Sequence, residues 1–339
     1  MMNLSENTNP YYPKKRMIRF IKKSIKKINV YPSKELLIDN NYFDKFNITQ
    51  KNITVTAGTM DALDLLHRTL KKKKVGYFEP TFWGFSYNSK INNYDIIKEK
   101  LDTDFSYNIQ RIDALAKKVD IIYLCNPNNP TLSYISRREL YKVMKNNIKC
   151  NFVVDETILL FNNDYEKKTM LPYVNKLNNL SVLVSLSKIF SVSGLRIGLL
   201  ISNEGIINKS RKSRTLFFNN IISEIFINKY INEFNKLNKV RKKISTNLKI
   251  LKKSLSKKYI DRIIDNEGSF ILVKLKKIVD YDKFIENMNN TNIIINYTSV
   301  SYKSLNGNYI RISCCKRRYI KKIVRIINKK LEESVNSFH

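Results

Sequence analysis

The sequence predicts an α/β protein with a mainly parallel sheet, extended by a smaller α+β C-terminal domain. Three observations carry this. From about residue 50 to 205, short continuous apolar runs alternate with helical patterns, as strands covered on both faces by crossover helices require. Beyond about residue 215, long helical periods are separated by isolated strand-like runs, the texture of an α+β unit. Glycine is scarce, with 8 in 339 residues, so the positions that keep one mark places where the backbone needs it.

In the first part the expected strands are Ile53–Thr56, Val75–Phe78, Ile121–Cys125, Asn151–Val154, Val182–Ser185 and Ile197–Ile201. Each is a short apolar, β-rich run, and their continuity implies burial on both faces. Helical patterns intervene, notably Met60–Leu70 and Arg137–Met144. In the second part Leu237, Val240, Ile244, Leu248 and Leu255 recur at spacings of three, four or seven, which predicts a long helix. Strands are expected at Phe270–Leu275, Ile293–Ile295 and Tyr309–Ser313, and a closing helix bears Ile320, Ile323, Ile327 and Leu331. The expected division is an N-terminal segment 1–33, a large α/β domain 34–215 and a small α+β domain 216–339. Met17, Ile21, Ile25 and Ile28 form one apolar stripe among lysines. Such a helix is expected to pack on its own core rather than lie on a membrane.

Lys and Arg number 62 against 29 Asp and Glu, a net charge of +33, and 43% of residues are hydrophobic. That apolar content excludes wholesale disorder. The longest apolar runs, such as Ile197–Ile201, fall far short of the ~20 residues of a membrane span. The first residues lack a basic stretch followed by an apolar one, so no secretory signal is expected. Cys125, Cys150, Cys314 and Cys315 form no C-x-x-C pair, which favours a reduced, cytoplasmic protein. His67 and His339 are the only histidines, which argues against a His-rich metal site or a Ser-His-Asp triad. The positive charge is spread along the chain, Lys71–Lys74 being its longest run. It reads as solvated surface rather than a nucleic-acid footprint.

The residues that carry chemistry follow strands. Ser185-Leu186-Ser187-Lys188 ends one, and Gly194-Leu195-Arg196-Ile197-Gly198 comes shortly after. Burial at a strand end would make the lysine a neutral nucleophile, and hydroxyls, backbone N–H groups and one arginine make a phosphate site. A Schiff-base lysine beside a phosphate cup suits pyridoxal 5′-phosphate (PLP), which has both an aldehyde and a phosphate. Asp155 ends another strand, where a carboxylate can pair with a protonated pyridine nitrogen. Asn129, in Asn126-Pro127-Asn128-Asn129-Pro130-Thr131, can offer its amide to a ring substituent. Gly58-Thr59-Met60 runs from a strand into a helix, whose N-terminus favours a phosphate. Thr81-Phe82-Trp83 presents aromatics after the next strand, where one can stack on a planar ring.

Taken in order, A-G-T-M-D-A, P-T-F, N-P-N-N-P-T, D-E, S-L-S-K and G-L-R-I-G resemble the fold-type I PLP-dependent aminotransferases of class I/II. The branches closest in pattern are those of histidinol-phosphate aminotransferase and threonine-phosphate decarboxylase. The opening Leu4-Ser5-Glu6-Asn7-Thr8-Asn9-Pro10, the pair Tyr31-Pro32 and Tyr309-Ile310-Arg311-Ile312 extend the resemblance over nearly the whole chain. It implies that Lys188 forms the Schiff base and moves the proton, Asp155 holds the pyridine nitrogen, Asn129 meets the ring's 3′-oxygen and Phe82 stacks on the ring. Ser185, Ser187, Arg196 and the backbone of Gly58, Thr59 and Met60 would hold the phosphate. Tyr31 would reach the phosphate of a neighbouring subunit in a homodimer. Arg311 would bind the substrate carboxylate, with Asn9 and Tyr11 beside the substrate.

Four residues depart from the family pattern. Ile158 stands where aminotransferases usually carry a tyrosine, Leu132 where a glycine usually follows the N-P turn, and Asn296 and Tyr297 where histidinol-phosphate enzymes place a second arginine. The implied activity is transamination of a small amino acid or a phosphorylated amine or keto substrate. The alternative is decarboxylation of a phosphorylated amino acid, and a third reading is a basic nucleic-acid-binding scaffold without catalysis.

Overall fold

The computed structural model describes residues 1–38, 42–266, 268–298, 302, 304–305 and 307–335; His339 lies outside them. Thirteen strands occur among the described residues: β1 (Met2–Asn3), β2 (Ile53–Thr56), β3 (Lys74–Glu79), β4 (Asp95–Lys100), β5 (Ile121–Cys125), β6 (Asn151–Asp155), β7 (Leu180–Ser185), β8 (Gly198–Ser202), β9 (Ile260–Ile264), β10 (Phe270–Leu275), β11 (Ile293–Ile294), β12 (Asn296–Tyr297) and β13 (Tyr309–Ser313). Seven of them form one sheet in the order β2-β8-β7-β6-β5-β3-β4. The pairings β3–β4, β3–β5, β5–β6 and β6–β7 are parallel, whereas β8 runs antiparallel to both β2 and β7.

Why these segments are strands is visible in their burial. β2, β5, β7 and β8 are buried along their whole lengths, because helices such as Thr59–Leu70 and Arg137–Asn146 cover the sheet and every position can be apolar. The edge strand β4 was not expected. Its sequence, Asp-Ile-Ile-Lys-Glu-Lys, is only partly buried, so it lacks the continuous apolar run that marks a central strand, and its charges protect an open edge. β9 was missed for a similar reason, since Asp261 and Arg262 are exposed within it.

The C-terminal sheet is antiparallel, in the order β12-β13-β10-β9, and is backed by the long helices Asn238–Ser254 and Arg317–Glu333. The N-terminal strand β1 pairs in parallel with β11. Leu4 then bonds through its N–H to Ile294 and through its carbonyl to the N–H of Ser313. The first residues of the chain are thereby fastened to its last sheet. The helix Lys15–Ser24 buries Met17 fully. Ile21 packs against the same core, whereas Ile25 and Ile28 remain 52% and 74% exposed, so the expected packing of that stripe holds for its first half and not for its second.

This topology places one end of the sheet at the centre of the molecule. The parallel strands β3, β5, β6 and β7, with β2 running the same way as β7, all finish at one edge, and antiparallel β8 begins there. The loops after those strands carry residues 57–60, 80–83, 126–131, 155–156 and 186–188, and Arg196 precedes β8. Two contacts hold this edge. A Cβ on Gly198 would lie 2.7 Å from the backbone carbon of Gly58 and 2.8 Å from the Thr56 hydroxyl. Glu156, fully buried, accepts hydrogen bonds from Thr169 Oγ1 and the N–H of Met170, both at 2.6 Å.

Two predictions follow from these contacts. Gly198→Ala should destabilise the protein by about 1–3 kcal/mol, because the clash is with backbone and a polar group that cannot swing aside; chemical unfolding measures it. Burial raises the Glu156 carboxyl from its ordinary 4.5 to about 7, with its two hydrogen bonds opposing the shift and nearby Asp155 adding to it. A raised acid contributes stability that is complete below about pH 4.5 and is lost as pH rises through about 7. Glu156→Gln should therefore flatten the stability decline between about pH 5 and about pH 8 by up to roughly 3 kcal/mol, read from urea midpoints at the two pH values.

Candidate active site

A cavity of about 340 Å³ opens at the strand ends. Gly58, Thr59, Met60, Phe82, Asn129, Ser185, Ser187, Lys188, Arg196 and Arg311 all line it, so ten of the residues singled out from sequence converge on one space.

On one side sits an anion cup. The helix Thr59–Leu70 has Gly58 as its N-cap at φ 91, with no side-chain cap bond. Its first N–H groups and the positive end of its dipole are thus left for a ligand. Arg196, itself at φ 53, lays its guanidinium against Gly58, where a Cβ would come within 2.7 Å of Nη2. Nη2 donates to the Ala57 carbonyl (3.4 Å) and Nη1 to that of Ser193 (3.2 Å). The Ser187 hydroxyl both donates to and accepts from the Ile197 backbone at 3.1 Å, tying the Lys188 turn to the segment entering β8. Ser193 lines the same cavity, and its hydroxyl is buried with no hydrogen-bond partner among the described residues.

Lys188 stands on a single helical turn, Leu186–Ile189, directly after β7. Its side chain is 29% exposed and pairs with Glu6 at 3.3 Å. The lysine is thus only partly buried where the strand-end reading expected burial: it lines the cavity, and its Nζ pairs there with a carboxylate. Glu6 was not singled out from sequence, although it lies inside the opening motif.

The same cavity is lined by Arg311 on β13, 5% exposed. Nη1 donates to Asn129 Oδ1 (2.6 Å) and to the Tyr302 hydroxyl (2.9 Å), and Nη2 donates to the Ser5 carbonyl (2.7 Å). Its Nε is buried without a partner among the described residues, an orphaned donor that calls for an acceptor. Tyr302 was also missed. It belongs to no periodic run and carries no motif.

Four expected residues do not line the cavity. Asp155 is buried at the end of β6; it accepts from the Thr157 N–H at 2.8 Å and pairs with no lysine or arginine among the described residues. Burial raises its pKa, with the hydrogen bonds from Thr157 opposing the shift. Asn9 is a brace: Nδ2 donates to the Ile189 carbonyl, Oδ1 accepts from the Tyr11 N–H, and its own N–H donates to the Lys188 carbonyl. It holds the lysine turn in place and does not itself line the cavity. The Tyr11 hydroxyl accepts from Asn247 at 2.7 Å, so it too is placed in the scaffold. Tyr31 is 80% exposed beside Phe217, away from this chain's own cavity.

The departures noted in the sequence are also placed. Leu132 takes φ 58, so the left-handed turn that favours glycine is kept with a leucine, at a cost of about 1 kcal/mol. Ile158 is buried in an apolar cluster with Leu132, Phe270, Leu272 and Tyr302. Asn296 lines the cavity, so an amide stands there where a second arginine would add charge.

The residues present fit PLP. A buried carboxylate without a cation at Asp155, an uncapped helix N-terminus beside Arg196 and the unpartnered Ser193 hydroxyl, and a lysine facing the space answer to its ring nitrogen, phosphate and aldehyde. The metal expectation is untouched by the fold: among the described residues no group of three His, Cys, Asp or Glu side chains could hold an ion.

Comparison with known proteins agrees. Residues 1–327 match the family described as aminotransferase class I and II. The histidinol-phosphate aminotransferase of Methanocaldococcus jannaschii is 25% identical over 335 residues, covering 96% of this chain and 88% of that protein. That of Caldanaerobacter subterraneus subsp. tengcongensis is 28% identical over 282 residues, 81% and 73% of the two chains. Among solved structures, the histidinol-phosphate aminotransferase of Clostridium acetobutylicum superposes with a TM-score of 0.84 at 20% identity, covering 98% of this chain and 100% of that one. The L-threonine-O-3-phosphate decarboxylase of Porphyromonas gingivalis gives 0.80 at 18% identity, with 98% and 100% covered. The fold is that of the fold-type I PLP enzymes, and the chain belongs to the aminotransferase class I and II family of PLP-dependent enzymes.

Proposed function

We propose that this cavity binds PLP through Lys188 and transaminates a small amino acid or a phosphorylated amine or keto substrate. The observation that carries the reading is the convergence of Lys188, Arg311 and the Gly58–Met60 and Arg196 cup on the lining of one cavity. Bound there, PLP supplies an electrophilic carbon and an electron sink for reactions at an amino acid's Cα. The protein's part is placement. Gly58, Thr59, Met60, Ser185, Ser187 and Arg196 hold the phosphate, Asp155 keeps the ring nitrogen protonated, Asn129 donates to the ring's 3′-oxygen, and Phe82 covers the ring. Arg311 takes the substrate carboxylate, and Lys188 Nζ holds and moves the proton at Cα.

Decarboxylation of a phosphorylated amino acid is the second reading. It draws on Ile158, which offers no hydroxyl to the ring, and on Asn296, a neutral amide lining the cavity where the histidinol-phosphate pattern places a further arginine. The two reactions differ only in which bond at Cα stands perpendicular to the ring.

We further read residues 1–33, 34–215 and 216–339 as an arm and two domains of a cytoplasmic homodimer. Buried, unpaired cysteines support the reducing compartment. Ile25, Ile28, Val30, Tyr31 and Leu216, all more than half exposed, support a partner surface, across which Tyr31 would reach the neighbouring phosphate.

Two measurements test these readings. PLP added to the purified protein should produce an absorbance band near the visible edge that is absent in Lys188→Ala. Conversion of that band by an amino acid to the pyridoxamine spectrum marks transamination, CO₂ release with the band intact marks decarboxylation, and no band at all rejects the cofactor assignment. Sedimentation equilibrium should give twice the 40.0 kDa chain mass; a monomer rejects the Tyr31 assignment.

A further inference from the structure

We propose that Tyr302 is a positioning residue whose hydroxyl locks the Asn129 amide and the Arg311 guanidinium into one unit, so that ring recognition and carboxylate recognition are set together. The proposal rests on the reading of the cavity as a PLP site. It assigns to a loop of the C-terminal sheet the phenol that position 158 lacks.

The geometry is a closed three-membered network. The Tyr302 hydroxyl donates to Asn129 Oδ1 at 2.9 Å and accepts from Arg311 Nη1 at 2.9 Å, while Nη1 also donates to Oδ1 at 2.6 Å. An arginine can only donate, so the atom it meets must be the amide oxygen. Two donors on Oδ1 therefore fix which end of the Asn129 amide is which, and Nδ2 is turned away from them on a residue that lines the cavity. Both donors also pull electron density towards Oδ1, which makes Nδ2 a better donor.

The surroundings hold this unit rigidly. Tyr302 is 5% exposed, and its ring packs among Leu132, Ile158, Phe270 and Leu305. The Arg311 guanidinium lies 5.1 Å from the Phe270 ring centre and 5.9 Å from that of Tyr302. Among the described residues that line the cavity, Tyr302 carries the only phenol. Ile158 contributes to the apolar bed on which that phenol rests. The isoleucine and the tyrosine are thus two halves of one arrangement: the first gives up a hydroxyl at the cavity and the second returns one from the other lobe.

Tyr302→Phe keeps the ring and removes the hydroxyl. Expected are a melting temperature close to that of the unaltered protein and PLP binding weakened about tenfold, measured by titrating the apoprotein. In an Asn129→Ala background the same change should weaken binding by less than about twofold, since the hydroxyl acts through the amide. The pH midpoint of the bound cofactor's absorbance should rise by about half a unit in Tyr302→Phe, because a weaker donor leaves more charge on the ring oxygen to hold the neighbouring proton. Packing alone would not move that midpoint. Equal effects of Tyr302→Phe with and without Asn129, or an unchanged midpoint, overturn the proposal. Failure of the unaltered protein to take up PLP is a different result: it removes the cofactor assignment, and the proposal with it.

Discussion

The backbone of Gly58 rests against Gly198, and neither position has room for a side chain. That close approach is the constraint on which the site depends. It requires β8 to run against its neighbours, so that its first residue, rather than its last, stands at the edge where the parallel strands end. Arg196 is thereby delivered beside the helix N-terminus that follows Gly58, and Lys188, at the end of neighbouring β7, comes to the same place. A parallel β8 would send Arg196 to the far side of the sheet. The reversal of one strand is what brings a cation from one connection to the orphaned N–H groups of another.

The second lobe is joined to this edge by polar contacts. Arg311 reaches from β13 to Asn129 in the loop after β5 and to the Ser5 carbonyl of the N-terminal segment. That segment is itself fixed to β11 and to Ser313, and it carries Glu6 to Lys188. Three separate stretches of chain therefore close one cavity. Such contacts are strong where they are buried, but costly if one partner is lost. A substitution at Asn129 would leave Arg311 with one partner fewer in a place that water reaches poorly.

Much of this was legible in the sequence because the responsible signals are local. Continuous apolar runs marked the central strands, and glycine-rich or hydroxyl-rich turns marked their ends. Gly58, Lys188, Arg196 and Asn129 were found that way. The rest depends on contacts between distant segments. β4 and β9 carry charges because each faces solvent, which erases the apolar run. Asn9 sits in a motif that points to the site and Tyr11 just after it, yet hydrogen bonds to Ile189 and Asn247 draw them into the scaffold. Tyr302 shows the opposite case, a residue without local signal whose place is set wholly by the partners it meets.

The departures from the family pattern are connected by the same logic. A Cβ on Gly268 would lie 2.6 Å from Leu132 and 3.2 Å from Ile158, so these three positions share one volume. A leucine where a glycine is usual fills space beside the 158 side chain, and the backbone of residue 268 must then come close without a side chain of its own. The extra bulk at 132 and the apolar group at 158 build a dry floor under Tyr302 and Arg311. In a dry floor a hydroxyl without partners is expensive, and the isoleucine removes that cost. The hydroxyl that remains is the one with two partners already in place. Leu132 and Ile158 are therefore one packing solution with Gly268 rather than two separate losses, and a change at any of the three acts on the others.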